Sequence, residues 1–178
     1  MVETGKTTLS GSPAKIVIKP DELIKIRNYC MKLAQTLNEE RNEELVELSV
    51  RSVDFHHRIA AAWCYGLSMQ YSDCLGVLLI DEHPLVSCAA RESLICIAND
   101  IPLPKLHRLG HYRIDFGPKD LHATKSEKES CLSLWEAFFD KRKKSLGENP
   151  HVEKVLNKPK DEPKKRTPGE ILDRRAHV

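Results

Sequence analysis

Residues 81 to 99 read DEHPLVSCAARESLICIAN, with a histidine, two cysteines and several carboxylates set in one apolar pattern. His83, Cys88 and Glu92 are the side chains there that could do nucleophilic chemistry, a thiol attacking while an imidazole or carboxylate takes its proton. On a helix Cys88 and Glu92 stand four apart and share a face, so contact between them is feasible. The neighbouring residues argue the other way. Cys88 falls on the side of Ala89 and Ala90, His83 lies in a turn ahead of Pro84, and no nucleophile elbow or oxyanion-hole motif accompanies them. Packing is the better reading, and the sequence predicts no catalytic residue, no cofactor and no enzyme.

Metal ligation fails on spacing. His56 and His57 are adjacent and cannot converge on one ion from a helix, while His107 and His111 have ligand spacing only if Gly110 is helical. The H-E-x-x-H glutamate is missing as well. HRLGHYRIDFG imitates the catalytic loop and D-F-G of protein kinases, but Leu109 stands where the catalytic Asp belongs and Asp115 follows too soon. GKTT at residues 5 to 8 lacks the upstream glycine and strand of a phosphate-binding loop.

These residues sit on a chain that reads as helix throughout its centre. Asp21 is a capping candidate for a first helix, with Leu23, Ile26, Cys30, Leu33, Ala34 and Leu37 at helical spacing. EERNEELVELSVRS follows, with Leu45, Leu48, Val46 and Val50 expected inside, then FHHRIAAAWCYGLSM, YSDCLGVLLI and the stretch above. After Asn99 the prolines and glycines of DIPLPKLHRLGHYRIDFGPKDLH predict an ordered, irregular crossing. TKSEKESCLSLWEAFFDKRKK returns to helix, capped by Thr124 or Ser126, with Cys131, Leu134, Trp135 and Phe138 inward and Leu132 and Phe139 to one side.

The two central helix pairs are versions of one another. Setting His57 on Val86, an offset of 29 residues, puts Ala60 on Ala89, Ala61 on Ala90, and the LVELSV run on CLGVLL. Small residues at a helix–helix contact let backbones approach, and a two-helix unit buries its apolar face only by stacking on another. LLIDEHPLVSCAARESLICIA resembles a HEAT repeat of the short, phycobilisome-lyase-like kind through Asp81, Pro84, Val86, Ala89, Ala90 and Leu94. Ser87 stands where that family commonly has Arg, which weakens the implied Asp–Arg ladder. The preceding unit keeps Arg58, Ala60, Ala61, Ala62 and Gly66, with His57 in place of the Val. The resemblance covers residues 43 to 99, and the FGP-to-Trp segment is similar to the closing part of some HEAT proteins. It implies an all-α, short α-solenoid of about two repeats with capping helices and disordered tails.

Composition places this unit. With 40% hydrophobic and 30% charged residues, 178 positions are enough for one core. No apolar run is long enough to cross a membrane, and MVETGKTTLSGSP lacks a signal-peptide core. The six cysteines lie mostly in apolar runs with no C-x-x-C, as expected of reduced thiols, so the sequence predicts a cytoplasmic protein. The expected layout is a flexible segment over 1–20, a helical domain over 21–140 and a basic, mostly disordered tail over 141–178. The tail holds twelve Lys and Arg against six Asp and Glu, whereas residues 1–140 hold sixteen against twenty, +6 beside −4. The implied function is a non-catalytic protein-interaction or scaffold module, contacting its partner along the ridge of second helices or at the exposed inter-helix turns, with Arg58, Trp63, Arg91 and Glu92 as the contact residues. The other readings are nucleic-acid binding through residues 141–178 and a small enzyme or accessory subunit. The open ends of so short a stack leave room for a homodimer.

Overall fold

The computed structural model describes residues 17–108 and 112–147, and the side chains of 107, 108 and 147 are outside that description. Among the described residues there are six α-helices, α1 Pro20–Glu40, α2 Glu43–Val50, α3 Phe55–Ser68, α4 Cys74–Leu79, α5 Pro84–Asn99 and α6 Lys125–Gly147, with a 3₁₀ segment at Leu103–Arg108 between α5 and α6. Among the described residues there is no strand, so the all-α expectation holds. The expectations for residues 1–16, for His111 and for the tail beyond 147 lie outside the described residues. The chain divides into two units, 1–140 and 141–178.

Local chemistry sets the helix ends. Pro20 takes the first position of α1, where its missing N–H costs nothing, and Lys19 rather than Asp21 is the N-cap. Asp21 instead sits in the first turn, where a carboxylate meets the positive end of the helix dipole. The Asn42 side chain caps α2 and Asp54 caps α3. His83 caps α5 through its ring, with Pro84 following. At α6 a reciprocal box forms, Glu127 N–H donating to Thr124 Oγ1 at 3.3 Å and Thr124 N–H to Glu127 Oε2 at 2.7 Å.

The 29-residue offset reappears in three dimensions. The N-caps of α3 and α5 are Asp54 and His83, and the C-caps of α2 and α4 are Arg51 and Ile80, each pair 29 apart. Ser52 Oγ accepts the Asp54 N–H and Asp81 Oδ1 accepts the His83 N–H, so the turn entering each second helix is closed the same way. Helix α3 lies between α1 and α5, with α2 against α3 and α4 against α5. Ala60, Ala61, Ala62, Ala89 and Ala90 are buried in these contacts, as the small-residue pattern requires.

Helices α3 and α5 approach closely at Gly66. Ser93 Oγ donates to Ala62 O at 2.7 Å, and a Cβ on Gly66 would stand 2.6 Å from that hydroxyl and 3.2 Å from the Ser93 backbone. Gly66→Ala is therefore expected to destabilise by about 1–3 kcal/mol, because the clash involves backbone and a hydroxyl already in use. Urea denaturation of the variant measures it, and an unchanged midpoint would contradict the packing described.

Some inward assignments shift. Leu48 is 68% exposed while Val46, Ser49 and Val50 are buried. The buried line of α6 runs through Lys128, Trp135 and Phe139, and Leu134 points outward. Leu23, also expected inside, is exposed at the edge of α1.

Candidate functional site

The charged side chains of α3 and α5 form three buried or half-buried clusters. The first begins with Arg58 in the opening turn of α3. Its Nε donates to Asp81 Oδ2 at 2.8 Å and its Nη2 to Asp81 Oδ1 at 3.2 Å, while Nη1 reaches Ser52 O at 2.8 Å and Val53 O at 3.1 Å. This bidentate pair ties the start of one helix pair to the turn of the next. Lys128 Nζ on α6 donates to the Asp81 carbonyl at 2.6 Å, so the same turn also holds the closing helix. Where the HEAT pattern would place a second arginine, Ser87 donates to Leu79 O at 2.6 Å.

Beside Asp81, the Phe55 ring stacks on His83 at 4.1 Å between centroids and lies 3.9 Å from His56, which meets Tyr29 edge-on at 5.5 Å. His83 Nδ1 accepts the Leu85 N–H at 3.3 Å, which needs an unprotonated nitrogen. Burial lowers the His83 pKa from 6.5, and Arg58, His56 and Lys128 add to this against the opposing pull of Asp81. A histidine with a depressed folded pKa stabilises the fold above its unfolded value and loses that contribution as pH falls through the folded one. Wild-type Tm is therefore expected to fall more steeply between about pH 7 and about pH 5 than that of His83→Asn, which keeps an acceptor without titrating. Parallel curves for the two proteins would refute a titrating cap.

The second cluster pins the irregular crossing to α5. Arg91 Nε donates to Asp115 Oδ1 at 3.0 Å and Nη2 to Oδ2 at 2.5 Å, and Oδ1 also accepts the Gly117 N–H at 3.0 Å. Burial alone would push the Asp115 carboxyl up, but the bonds from Arg91 and Gly117 hold it below the usual carboxylate range. Asn99 pairs with the Ile114 backbone in both directions, at 2.8 and 3.0 Å. A cleft of about 150 Å³ opens between α5 and residues 118–121, lined by Ser87, Cys88, Arg91, Lys119 and Asp120.

The third cluster lies between α1, α3 and α5. Trp63 Nε1 donates to Glu92 Oε2 at 2.9 Å, and the Arg27 guanidinium sits 3.3 and 3.4 Å from the two Glu92 oxygens and 5.0 Å above the Trp63 ring. A cavity of about 30 Å³ beside them, lined also by Cys88, has room for a water.

The four residues expected to face a partner are thus engaged within the chain. Trp63 is 4% exposed and Glu92 is buried, because each satisfies the other. Arg58 and Arg91 keep side-chain exposures of 19% and 21% and point into bidentate pairs. Arg27, Asp81 and Asp115, which complete these clusters, were not among the expected site residues. His83 lines neither cavity, whereas Cys88 lines both. Burial pushes the Cys88 thiol up to about 11, so it stays protonated near neutral pH. Cys30 and Cys64 are likewise raised to about 11 and Cys96 to about 12. No group of three or more metal-ligating side chains occurs among the described residues. No helix among them is long and apolar enough to cross a membrane. No protein-family model, curated protein or solved structure matches the chain.

Proposed function

We propose that the helical unit is a short HEAT-like solenoid that binds another protein and catalyses no reaction. What carries the reading is the duplicated helix pair, whose inner turn repeats at 29 residues from the C-cap of the first helix to the N-cap of the second, stapled between repeats by Arg58 and Asp81. Stacked helix pairs present extended surfaces, and their charges go into joining repeats rather than into a reaction centre. The second helices, however, offer little to a partner. His57 is the only exposed position within α3, and α5 has none. The binding surface of this reading therefore lies on the outer helices α2 and α4 or at the inter-helix turns rather than on the ridge of second helices.

The test is to purify captured proteins with the full-length chain, rebuild each complex from two purified components, and map it by cross-linking. A stoichiometric complex with cross-links on residues 20–140 is the expected result. Failure of every captured protein to re-form a complex sinks the reading. Salt-sensitive retention on DNA or RNA that disappears on removing residues 148–178 assigns binding to the tail instead.

A further inference from the structure

The outer layer repeats a surface feature as faithfully as the inner layer repeats its core. On α2, Glu44 and Leu48 are four apart and both exposed, and 29 residues on, Asp73 and Val77 stand in the same relation at α4. Leu48 is 68% exposed and Val77 59%, among the largest exposures of apolar side chains in the described chain. Residues four apart on a helix share a face, so each helix presents an acid beside an aliphatic side chain. Helices α2 and α4 are neighbours, which sets the two pairs side by side.

The surroundings are acidic. From Glu39 to Arg51 the exposed charges are Glu39, Glu40, Glu43, Glu44 and Glu47 against Arg41 and Arg51. None of Glu43, Glu44, Glu47 and Asp73 enters a side-chain ion pair among the described residues. An aliphatic pair ringed by unpaired carboxylates fits a complementary surface that is apolar at its centre and basic at its rim.

We propose that the α2–α4 face, with Leu48 and Val77 at its centre, docks a basic amphipathic helix of a partner protein. This rests on the protein-binding reading above and names the chemistry of the partner. Neighbouring helix axes lie about 8–10 Å apart, a distance that a helix rising about 1.5 Å per residue covers in about seven residues. The docked helix therefore carries two large apolar residues about seven apart, flanked by Lys or Arg that meet Glu44, Glu47 and Asp73. Burying the two aliphatic side chains supplies affinity, and the carboxylates select against acidic partners.

The experiment uses the full-length protein and fluorescent helix-forming peptides carrying two leucines about seven apart, in a lysine-rich and a glutamate-rich version. Fluorescence anisotropy should show binding of the basic peptide alone, weakening as salt rises from about 50 to about 300 mM. Leu48→Ser with Val77→Ser, and separately Glu44→Lys with Asp73→Lys, should each weaken it by about tenfold or more. All four positions are exposed, so the serine variant should keep the wild-type Tm, whereas the lysine variant reverses charge at the first turn of α2 and the N-cap of α4, should melt slightly lower, and is compared well below its transition. Equal binding of the glutamate-rich peptide, or unchanged binding to the serine variant, overturns the proposal. Self-association of the wild type that the serine variant abolishes overturns it too, by assigning the face to a second copy. A cross-linked partner complex that survives both double substitutions leaves the protein-binding reading standing and removes this face from it.

Discussion

Trp135→Ala is expected to lower stability by about 3–5 kcal/mol, one of the two largest single effects predicted for this chain. Trp135 is fully buried, its Nε1 donates to Gly117 O at 2.9 Å, and its ring meets Phe116 edge-on at 4.9 Å. Phe139, one turn further along α6, lies parallel to it at 6.2 Å and stacks in turn on Tyr71 at 4.1 Å. Trp135 thus joins α6 to the crossing, and Phe139 joins α6 to the loop before α4. Alanine would leave a large void and an unpaired buried carbonyl, two penalties of different origin. Trp135→Phe separates them, because it keeps most of the ring and loses only the donor, at about 1–2 kcal/mol. The chain has two tryptophans, so in Trp135→Ala the remaining emission comes from Trp63 and reports on the inner helices alone. Urea denaturation followed by tryptophan emission measures the loss. A loss under about 1 kcal/mol would mean that α6 is held by something other than this residue.

The helices, their order and the duplication could be read from the sequence because each is a local pattern. Ala60 and Ala89 mark close contacts wherever they occur, and the 29-residue offset needs no knowledge of the fold. Which face of a short helix is buried is a different matter. The eight residues of α2 carry Leu45, Val46, Leu48 and Val50 around much of its circumference, and only the position of α3 decides that Leu48 faces solvent. Glu92 is among the expected partner contacts, and a glutamate without a partner belongs in water. Its burial depends on Trp63 and Arg27, 29 and 65 residues away, and nothing in its immediate surroundings announces them. The Arg58–Asp81 pair was half visible, since both residues belong to the repeat pattern that implies such a rung. Asp115 lies in a segment without periodicity, so its pairing with Arg91 had no sequence signal at all.

Glu92→Ala should cost about 2–3 kcal/mol, below the usual loss for breaking a fully buried pair because the Arg27 side chain is 36% exposed and is re-solvated in part. The Trp63 N–H has no such escape, since that residue is 4% exposed and loses its Glu92 acceptor in the variant. Glu92→Gln should fall between, because an amide oxygen still accepts from Trp63 while the attraction to Arg27 is gone. Replacing both charges, Arg27→Met with Glu92→Met, should be milder than Glu92→Ala, since apolar side chains of similar volume remove the unmatched charge and fill the space beside the small cavity. A double-mutant cycle across Arg27 and Glu92 gives the coupling directly, with urea midpoints as the readout. A positive coupling identifies the cluster as the clamp that holds α1 on α3 and α5. A coupling of zero would mean that Arg27 only rests on the Trp63 ring and that α1 is held by its apolar side chains, Ile26, Cys30, Leu33, Ala34 and Leu37 among them. The cluster sits on the inner helices, whereas the docking face proposed for the partner sits on α2 and α4. Glu92→Gln, kept below its unfolding transition, should therefore bind the basic peptide as tightly as the wild type. A loss of peptide affinity in that variant would show that the two layers are coupled, and would move the functional surface back toward the second helices.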